Sequence, residues 1–274
     1  MAGGRSLVVD TRAAAGDTPW CTGRLQLSRR SVRQRSGRMS EVRGLPPGQI
    51  EIQDFPRFGW GTFAFRFPTN PALLEIAVEG DVVESLVVRE EMASLQRVDQ
   101  VSDLHCVTTW TKRSIRWSGF RFRDFYETIV EPRAKPRPEA SLVVLRGQDG
   151  YAGRLPLEDL LAQDVLLADR LDGRPLPIAH GAPLRLVAPA HYGYKNIKHL
   201  RCIEFWRDAR AYRFVGPSFM DHPRARVDLE ERGNLPAWLL RRLYPTLIPP
   251  IRWLFRVALE RHLRRTAAPP DSES

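Results

Sequence analysis

The chain has 274 residues, of which 43% are hydrophobic, enough apolar side chains for a folded core. The 42 lysines and arginines exceed the 32 acidic residues and give a net charge of +10, which favours an anionic partner such as a phosphorylated cofactor, nucleic acid or a lipid surface. Three widely spaced cysteines argue against a disulfide framework, and no apolar N-terminal stretch indicates a secretory signal. We therefore expect a cytoplasmic protein.

Residues 1–45 are predicted to form a disordered basic arm. The first 49 residues hold nine arginines against three acidic residues, and large apolar side chains are few. Such a segment buries too little apolar surface to offset the entropy lost on ordering. A solvated tail is the simpler interpretation of the arm, and nucleic acid is not expected as a partner.

The folded domain is predicted to span residues 46–208, beginning after the turn sequence GLPPGQ. Residues 74, 76 and 78 are apolar and alternate with other residues, which indicates a half-buried strand that pairs with SLVVR at 85–89. REEMASL at 89–95 has the spacing of a short helix, and VDQVSDLHCV returns to strand. RDFYETIV at 123–130 predicts a helix that ends before Pro132.

The pattern repeats in the second half of this domain. SLVVLR predicts a strand, PLEDLLAQ a helix with Pro156 near its first turn, and Asp172-Gly173 a two-residue hairpin. PLRLVAP and LRCIEFW add two further strands. The predicted fold class is α+β, a mixed, strand-rich body with short helices.

Residues 209–274 are predicted to be an amphipathic helical extension followed by a polar tail. The stretch PAWLLRRLYPTLIPPIRWLFRVALERHLRR mixes large apolar residues with arginines and prolines, so it lacks the roughly 20 apolar residues of a membrane-spanning helix. Two interpretations stay open. The helices either pack on the domain or a partner chain, or they lie on an anionic lipid surface as a peripheral membrane contact.

The motif DLHCVTTW, residues 103–110, places Cys106 within a predicted strand. A cysteine there is most often a small buried hydrophobic residue. A structural zinc site would need more nitrogen or sulfur ligands than this region offers, and a nucleophilic thiol would need a base and an oxyanion signature that the sequence lacks. The residue types alone therefore assign no chemistry to Cys106.

Two blocks resemble the cofactor-binding core of the sulfite oxidase superfamily of molybdopterin enzymes. The first is DLHCVTTWTKRSIRWSGFRFRDF; the second runs from DGYAGRLPLEDLL through GRPLPIAHGAPLRL and YGYKNIK to LRCIEFW. The resemblance covers roughly residues 52–207 and is closest to bacterial members that consist of the catalytic domain, such as methionine-sulfoxide reductase catalytic subunits. It implies a sulfite oxidase-type fold and a molybdenum-molybdopterin cofactor.

The resemblance also implies an activity and its residues. The activity is two-electron oxygen-atom transfer with a small molecule, either a sulfite-like anion or an S- or N-oxide. Cys106 would be the metal ligand, Arg57 would meet an anionic substrate, and Tyr151 would either donate a hydrogen bond at the reaction centre or pack at a strand end. The implied cofactor contacts are Phe55, Arg57, Phe58, His105, Cys106, Thr108, His180, Arg185, Lys195, Asn196, Ile197 and Lys198.

Two further expectations concern partners and an alternative function. Since the sequence shows no haem domain, the family resemblance implies a separate electron-transfer partner. The alternative is a non-catalytic, electropositive scaffold of the same fold that binds an anionic membrane or nucleic acid. The presence of Cys106 argues against the scaffold, because a scaffold does not need a thiol at that motif position.

Overall fold

The computed structural model describes residues 44–210 and 212–267. Residues 1–43 of the predicted basic arm and the last seven residues of the predicted polar tail lie outside the described residues. The strands, numbered in chain order, are β1 (Ile50–Glu51), β2 (Ile76–Gly80), β3 (Leu86–Val88), β4 (Arg97–His105), β5 (Trp110–Arg121), β6 (Leu142–Gly147), β7 (Ala152–Pro156), β8 (Leu166–Leu171), β9 (Arg174–Pro175), β10 (Arg185–Val187) and β11 (Leu200–Trp206). The α-helices are α1 (Phe122–Phe125), α2 (Leu157–Leu160), α3 (Ala237–Leu243) and α4 (Ile248–Ala267).

The described strands form two sheets. In the first, β5 pairs with β1 in parallel and with β4 and β8 antiparallel, and β8 continues to β9 and β10. In the second, the order is β3-β2-β11-β6-β7, with β2 and β11 parallel. Short helices and irregular segments connect the sheets, so the predicted α+β class is confirmed.

The main core lies where inward side chains of both sheets meet the helical segment after β5. Phe120 and Leu167 from the first sheet belong to the same buried cluster as Leu145 and Phe205 from the second, together with Phe125 of α1. Each such side chain contributes on the order of 1.5–3 kcal/mol when fully buried. This core holds the two sheets together.

Several predicted elements appear where the sequence pattern put them. Ile76 and Val78 on β2 are buried, and β3 pairs with β2 antiparallel. The β8–β9 hairpin turns at Asp172 and Gly173, which both have positive φ, 49° and 75°. Positive φ at both central residues is the requirement of the two-residue turn that Asp-Gly favours. REEMASL is helical, but as a 3-10 turn over Glu90–Ser94.

The prediction that a helix ends before Pro132 is wrong. After α1 the chain continues as a π-helix, Tyr126–Ala134, with Pro132 inside it. In an α-helix a proline ring clashes with the carbonyl four residues earlier. The five-residue spacing of a π-helix changes which carbonyl faces that ring, so Pro132 is accommodated.

Between β11 and α3 the described residues include a 3-10 turn, Ser218–Met220, and α3 is followed without a gap by a second 3-10 turn, Tyr244–Leu247, and by α4. The extension is therefore helical from Ala237, later than the predicted start at 209. The inner side of α4 packs on Ala64 through Phe255 and Ala258. No helix in the described part of the chain is long and apolar enough to cross a membrane.

Candidate functional site

Cys106 lies in the tight turn between β4 and β5. Its amide donates to the carbonyl of Trp110 (2.8 Å) and its carbonyl accepts from the amide of Thr109 (3.1 Å). The Gln49 side-chain amide also donates to the Cys106 carbonyl, at 3.1 Å. Thr109 has φ of 79°, which closes the turn. The backbone of the cysteine is thus held from three directions.

The Cys106 thiol is buried and borders a cleft. Its Sγ lies 3.1 Å from Thr108 Oγ1. Burial raises the pKa of the thiol, while the Thr108 hydroxyl and amide, Arg232 and Lys198 act in the opposite direction. The thiolate would therefore need a further positive partner, and a metal ion is the strongest partner of that kind.

Arg232 fixes the turn from the far end of the chain. Its side chain is fully buried, and it donates to the carbonyls of Val107 (2.7 Å) and Pro47 (3.0 Å). The guanidinium also lies over the Tyr192 ring, 5.2 Å from its centroid. The residue after the cysteine is thus tied to the C-terminal extension as well as to the sheet.

The cleft lies between the Cys106 turn, the 55–63 loop, the segment before β11, and the helices of the extension. Its empty space is about 1220 Å³, open mouth included. Six predicted site residues outside the turn that have charged or aromatic side chains line it, namely Phe55, Arg57, Phe58, Tyr151, Arg185 and Lys198. Thr108 and Asn196 line it too.

Three cations, Arg57, Arg185 and Lys198, border this cleft, and Asp149 is the acidic residue among its described lining residues. Burial lowers the pKa of Lys198 to about 7, helped by the charges of Arg185 and Arg57, and lowers the pKa of Arg185 to about 9. Cationic groups that have lost part of their hydration favour an anionic ligand, because its negative charge compensates for the lost contact with water. The cleft is built for an anion.

Arg57 and Arg185 are both hydrogen-bonded to backbone carbonyls. Arg57 donates to the carbonyls of Ala64 (2.6 Å) and Arg66 (2.9 Å), and Arg185 donates to the carbonyl of His180 (2.9 Å). Because these bonds to backbone use several of their donors, the two arginines order the cleft walls as well as charging them.

His180 stands beside the cleft wall, stacked on Phe55 with ring centroids 4.2 Å apart. Its Nδ1 is buried with no hydrogen-bond partner among the described residues. Burial, Lys198 and Arg185 lower its pKa to about 3, so the ring is neutral at pH 7. A neutral imidazole there retains one nitrogen as a donor and one as an acceptor.

Tyr151 lines the cleft, and its hydroxyl donates to the carbonyl of Tyr194 at 2.9 Å. Its ring packs edge-on against Phe63, with centroids 5.3 Å apart. The phenol proton is therefore directed at the backbone, as expected of the packed alternative, while the oxygen keeps capacity to accept a hydrogen bond.

Four predicted cofactor contacts are not among the residues that line the cleft, namely His180, described above, and His105, Lys195 and Ile197. His105 precedes the turn and directs Nδ1 at Thr111 Oγ1 (2.9 Å). Lys195 is fully buried and donates to Asp221 Oδ1 (3.2 Å). Ile197 packs in the core against Gly153, so closely that a Cβ added to this glycine would lie 2.6 Å from Ile197 Cδ1. Residues next to one another in a motif point to different sides of the chain, so these side chains contact other parts of the protein, and their contact with the cofactor stays a prediction.

Asn196 lines the cleft, but its side chain serves the backbone. Its Oδ1 accepts from the amide of Ala188 (2.7 Å), and its Nδ2 donates to the carbonyls of His191 and Tyr192 (both 3.3 Å). It therefore shapes the loop before Lys198 rather than offering its amide to a ligand.

Sequence reasoning missed the part of the wall that the extension supplies. Tyr244, Leu247, Ile251 and Phe255 line the cleft from the inner side of the helices. Their spacing of three or four residues is the signal that could have identified them as one buried face. Asp149, beside the predicted Tyr151, was missed as well.

The cleft offers unsatisfied polar atoms to a ligand. Trp110 Nε1 and the Tyr244 hydroxyl are buried, border the cleft, and have no hydrogen-bond partner among the described residues. Buried polar groups are rarely left unpaired without a functional reason. Together with the cations and the cysteine thiol, they fit an anionic, phosphate-bearing group that carries a soft metal.

Among the described residues, a second cysteine with potential metal ligands nearby lies on the second sheet. Cys202, Glu79 and Glu204 bring their ligand atoms within 4.8 Å of one another. Glu204 is already ion-paired with Arg146 and accepts from Trp206 Nε1 at 3.0 Å. The carboxylate of Glu204 is therefore already satisfied by protein groups, which is typical of a structural cluster.

Comparisons with known proteins agree with these features. The model of the family described as the oxidoreductase molybdopterin binding domain matches residues 65–213, more than half of the chain. The uncharacterized oxidoreductase YuiH of Bacillus subtilis is 33% identical over 173 residues, which cover 62% of this chain and 84% of YuiH. MsrP of Xanthomonas campestris, a protein-methionine-sulfoxide reductase catalytic subunit, is 26% identical over 190 residues, covering 60% of this chain and 57% of MsrP.

Among solved structures, the sulfane dehydrogenase SoxCD of Paracoccus pantotrophus is similar with a TM-score of 0.43 and 20% identity, covering 49% of this chain and 38% of that one. The family match and the similarity to YuiH confirm the predicted family and cofactor. The chain belongs to the oxidoreductase molybdopterin binding domain family and is a molybdopterin-dependent oxidoreductase.

Proposed function

We propose that this oxidoreductase catalyses a two-electron oxygen-atom transfer with Cys106 as its protein ligand to molybdenum. The observation that carries the proposal is a buried thiol, fixed on a tight turn, that borders the same cleft as Arg57, Arg185 and Lys198. When bound, the cofactor supplies redox chemistry in which an oxygen atom moves to or from the substrate.

Different side chains would bind the cofactor and shield it from water. Lys198 and Arg185 would neutralise the phosphate of the pterin, lysine as a point charge and arginine as an ordered donor. Trp110 Nε1 and the Tyr244 hydroxyl are buried donors that a bound group could satisfy. Phe55, Phe58 and Phe255 border the cleft with apolar rings and would exclude water.

Arg57 and Tyr151 are proposed on the substrate side. The charge of Arg57 favours an anion, and burial lowers its pKa only to about 10, so it stays protonated at pH 7. Tyr151 would contribute as an acceptor or as a wall of the site, since its proton is donated to Tyr194. The predicted contacts Thr108 and His180 would orient the thiol and the neighbouring wall, respectively.

We infer that the substrate is a small molecule, either a sulfite-like anion or an S- or N-oxide. The cationic cleft is compatible with both. Similarity to MsrP, named as a protein-methionine-sulfoxide reductase catalytic subunit, supports the sulfoxide class. Because MsrP is named as one subunit, it also supports a separate electron-transfer partner for this chain. The cytoplasmic location stays a prediction.

The test compares wild type with Cys106→Ser and with the matched control Cys202→Ser, each produced in a cofactor-competent host. We expect wild type and Cys202→Ser to carry molybdenum and pterin with the same absorption spectrum. Cys106→Ser should lose the visible absorption band of a thiolate-bound metal while its urea unfolding midpoint changes little, because the substitution replaces one sulfur by oxygen at a buried site.

A Cys106→Ser protein with unchanged absorption and unchanged turnover of methyl sulfoxides and sulfite would refute the ligand assignment. Wild type that folds but takes up neither molybdenum nor pterin would refute the use of this cleft as the cofactor site.

A further inference from the structure

The helices of the extension have two apolar sides, and only one of them is covered. Leu240, Tyr244 and Phe255 are buried on the inner side, toward the domain. On the outer side, Trp238 is 64% and Trp253 59% exposed. Two tryptophans that are mostly exposed on one helical segment need an explanation, because contiguous exposed apolar surface usually marks a binding site.

Helical spacing joins the exposed side chains into one surface, which we call the outer face: Leu235, Trp238, Leu239, Leu243 and Trp253. Leu239 and Leu243 are one turn apart, and α3, the 3-10 turn and α4 follow one another without an intervening residue. Leu239 and Leu243 are 38% and 46% exposed. Leu235, Leu239 and Leu243 recur every four residues with Trp238 beside Leu239, and Trp253 adds a further exposed aromatic ring on α4.

The charge around the outer face is strongly positive. Residues 235–267 contain seven arginines, against Glu260 as the acidic residue. Arg241 and Arg252 are ion-paired with Glu230 and Asp54, whereas Arg242, Arg256 and Arg261 are exposed. An apolar stripe rich in tryptophan and flanked by arginine is the composition of helices that lie in the interface of an anionic bilayer.

A second cleft adjoins this surface. It lies between residues 54–57 and α4, holds about 1050 Å³ of empty space including its open mouth, and is lined by Trp253, Arg252 and Arg256. Arg252 is paired with Asp54, which also lines this cleft, so the exposed Arg256 guanidinium is the donor that would meet a lipid phosphate when the indole ring of Trp253 enters the bilayer.

We propose that the outer face docks on the surface of an anionic phospholipid bilayer, with Trp238 and Trp253 in the interface and Arg242 and Arg256 on the headgroups. A protein partner is less favoured, because arginines bordering the whole stripe would then need a matching acidic surface of the same length. This inference goes beyond the proposed redox function and does not depend on it.

The test measures binding of the full-length holoenzyme to vesicles of phosphatidylcholine alone and of phosphatidylcholine with roughly one third phosphatidylglycerol, by co-sedimentation. We expect binding to the anionic vesicles that weakens as salt rises. Trp238→Ser/Trp253→Ser should weaken it at least about tenfold, because two partly buried rings are lost. Arg242→Gln/Arg256→Gln should weaken it about 25-fold, about fivefold for each charge.

Matched controls distinguish vesicle binding through the outer face from nonspecific hydrophobic or electrostatic binding. Val83→Ser/Val101→Ser removes two side chains that are 65% and 64% exposed on the strand-rich body, and Arg116→Gln/Arg174→Gln removes two exposed charges of the first sheet. Both controls should bind like wild type. Brominated lipid should quench the fluorescence of wild type, and Trp238→Phe/Trp253→Phe should bind but lose most of that quenching.

Binding of Trp238→Ser/Trp253→Ser that equals wild type would overturn the proposal and assign vesicle binding to another basic segment. Absence of binding by wild type, with an oligomer that Trp238→Ser/Trp253→Ser dissociates in sedimentation velocity, would also overturn it, because the outer face would then be an interface between two copies of the chain.

Discussion

Lys195 and Asp221 provide the sharpest test of the site geometry, because a lysine expected at the cofactor is instead ion-paired with the extension. The Lys195 ammonium is fully buried, 3.2 Å from Asp221 Oδ1, and Arg154 lies 3.0 Å from the other carboxylate oxygen. We predict that Asp221→Asn lowers the free energy of unfolding by about 3–5 kcal/mol, the usual result of removing one partner from a buried ion pair.

The loss of unfolding free energy expected for Asp221→Asn has an upper limit. Burial already lowers the pKa of Lys195 to about 8, against the attraction of Asp221. Without that carboxylate the folded protein would have to deprotonate the lysine, which at pH 7 costs about 5 kcal/mol for a group whose pKa is 10.5 when unfolded. A loss larger than about 5 kcal/mol would mean that Asp221→Asn disturbs more than the charge.

Urea unfolding of Asp221→Asn, Lys195→Met and the double variant measures the coupling. Lys195→Met/Asp221→Asn should recover at least about 2 kcal/mol of the loss seen in Asp221→Asn, because no ammonium is then left buried without a partner. Lys195→Met should also keep its pterin, whereas Lys198→Met should lose it. A folded Lys195→Met protein without pterin, or an Asp221→Asn loss below about 1 kcal/mol, would refute this reasoning.

Two further predictions concern protons. An anion bound in the cleft should raise the pKa of Lys198 from about 7, so pyrophosphate binding at pH 8 should take up a proton. Calorimetry in buffers of different ionisation enthalpy should detect the uptake, and Lys198→Met should abolish it. His199 is buried, its Nδ1 lies 2.6 Å from the carbonyl oxygen of Ala182, and burial lowers its pKa to about 4. Unfolded chains therefore bind a proton between pH 6.5 and 4 that the folded protein does not, so stability falls by about 3 kcal/mol as pH drops through that window; urea midpoints of His199→Gln should fall less steeply.

Local patterns predicted the elements that depend on local forces. The Asp172-Gly173 hairpin needs only two residues that tolerate positive φ, and β2 needs only alternating burial of Ile76 and Val78. The π-helix through Pro132 could not be predicted, because five-residue spacing depends on how Ile129 and Val130 pack in the core.

The site residues also fall into those that the sequence motif located and those that depend on tertiary packing. The motif located Cys106 and Lys198 at the cleft, but it could not separate Lys198 from Lys195, since the direction of each side chain is set by the 3-10 turn at Gly193–Lys195 and by Asp221. The wall formed by the extension could not be predicted either, because it too depends on tertiary packing. An amphipathic helix indicates that one face is covered, while only the tertiary structure identifies what covers it.

The contacts of Arg232 set an order of events during synthesis. The turn that carries Cys106 emerges from the ribosome long before Arg232, which follows Val107 by 125 positions, and the helix that supplies Phe255 emerges later still. Until then, one side of the cleft has no wall, and the carbonyl of Val107 lacks the hydrogen bond from Arg232. The walls of the cleft are therefore complete only when the C-terminal extension has packed on the domain, so a chain truncated before Arg232 would present the Cys106 turn without them.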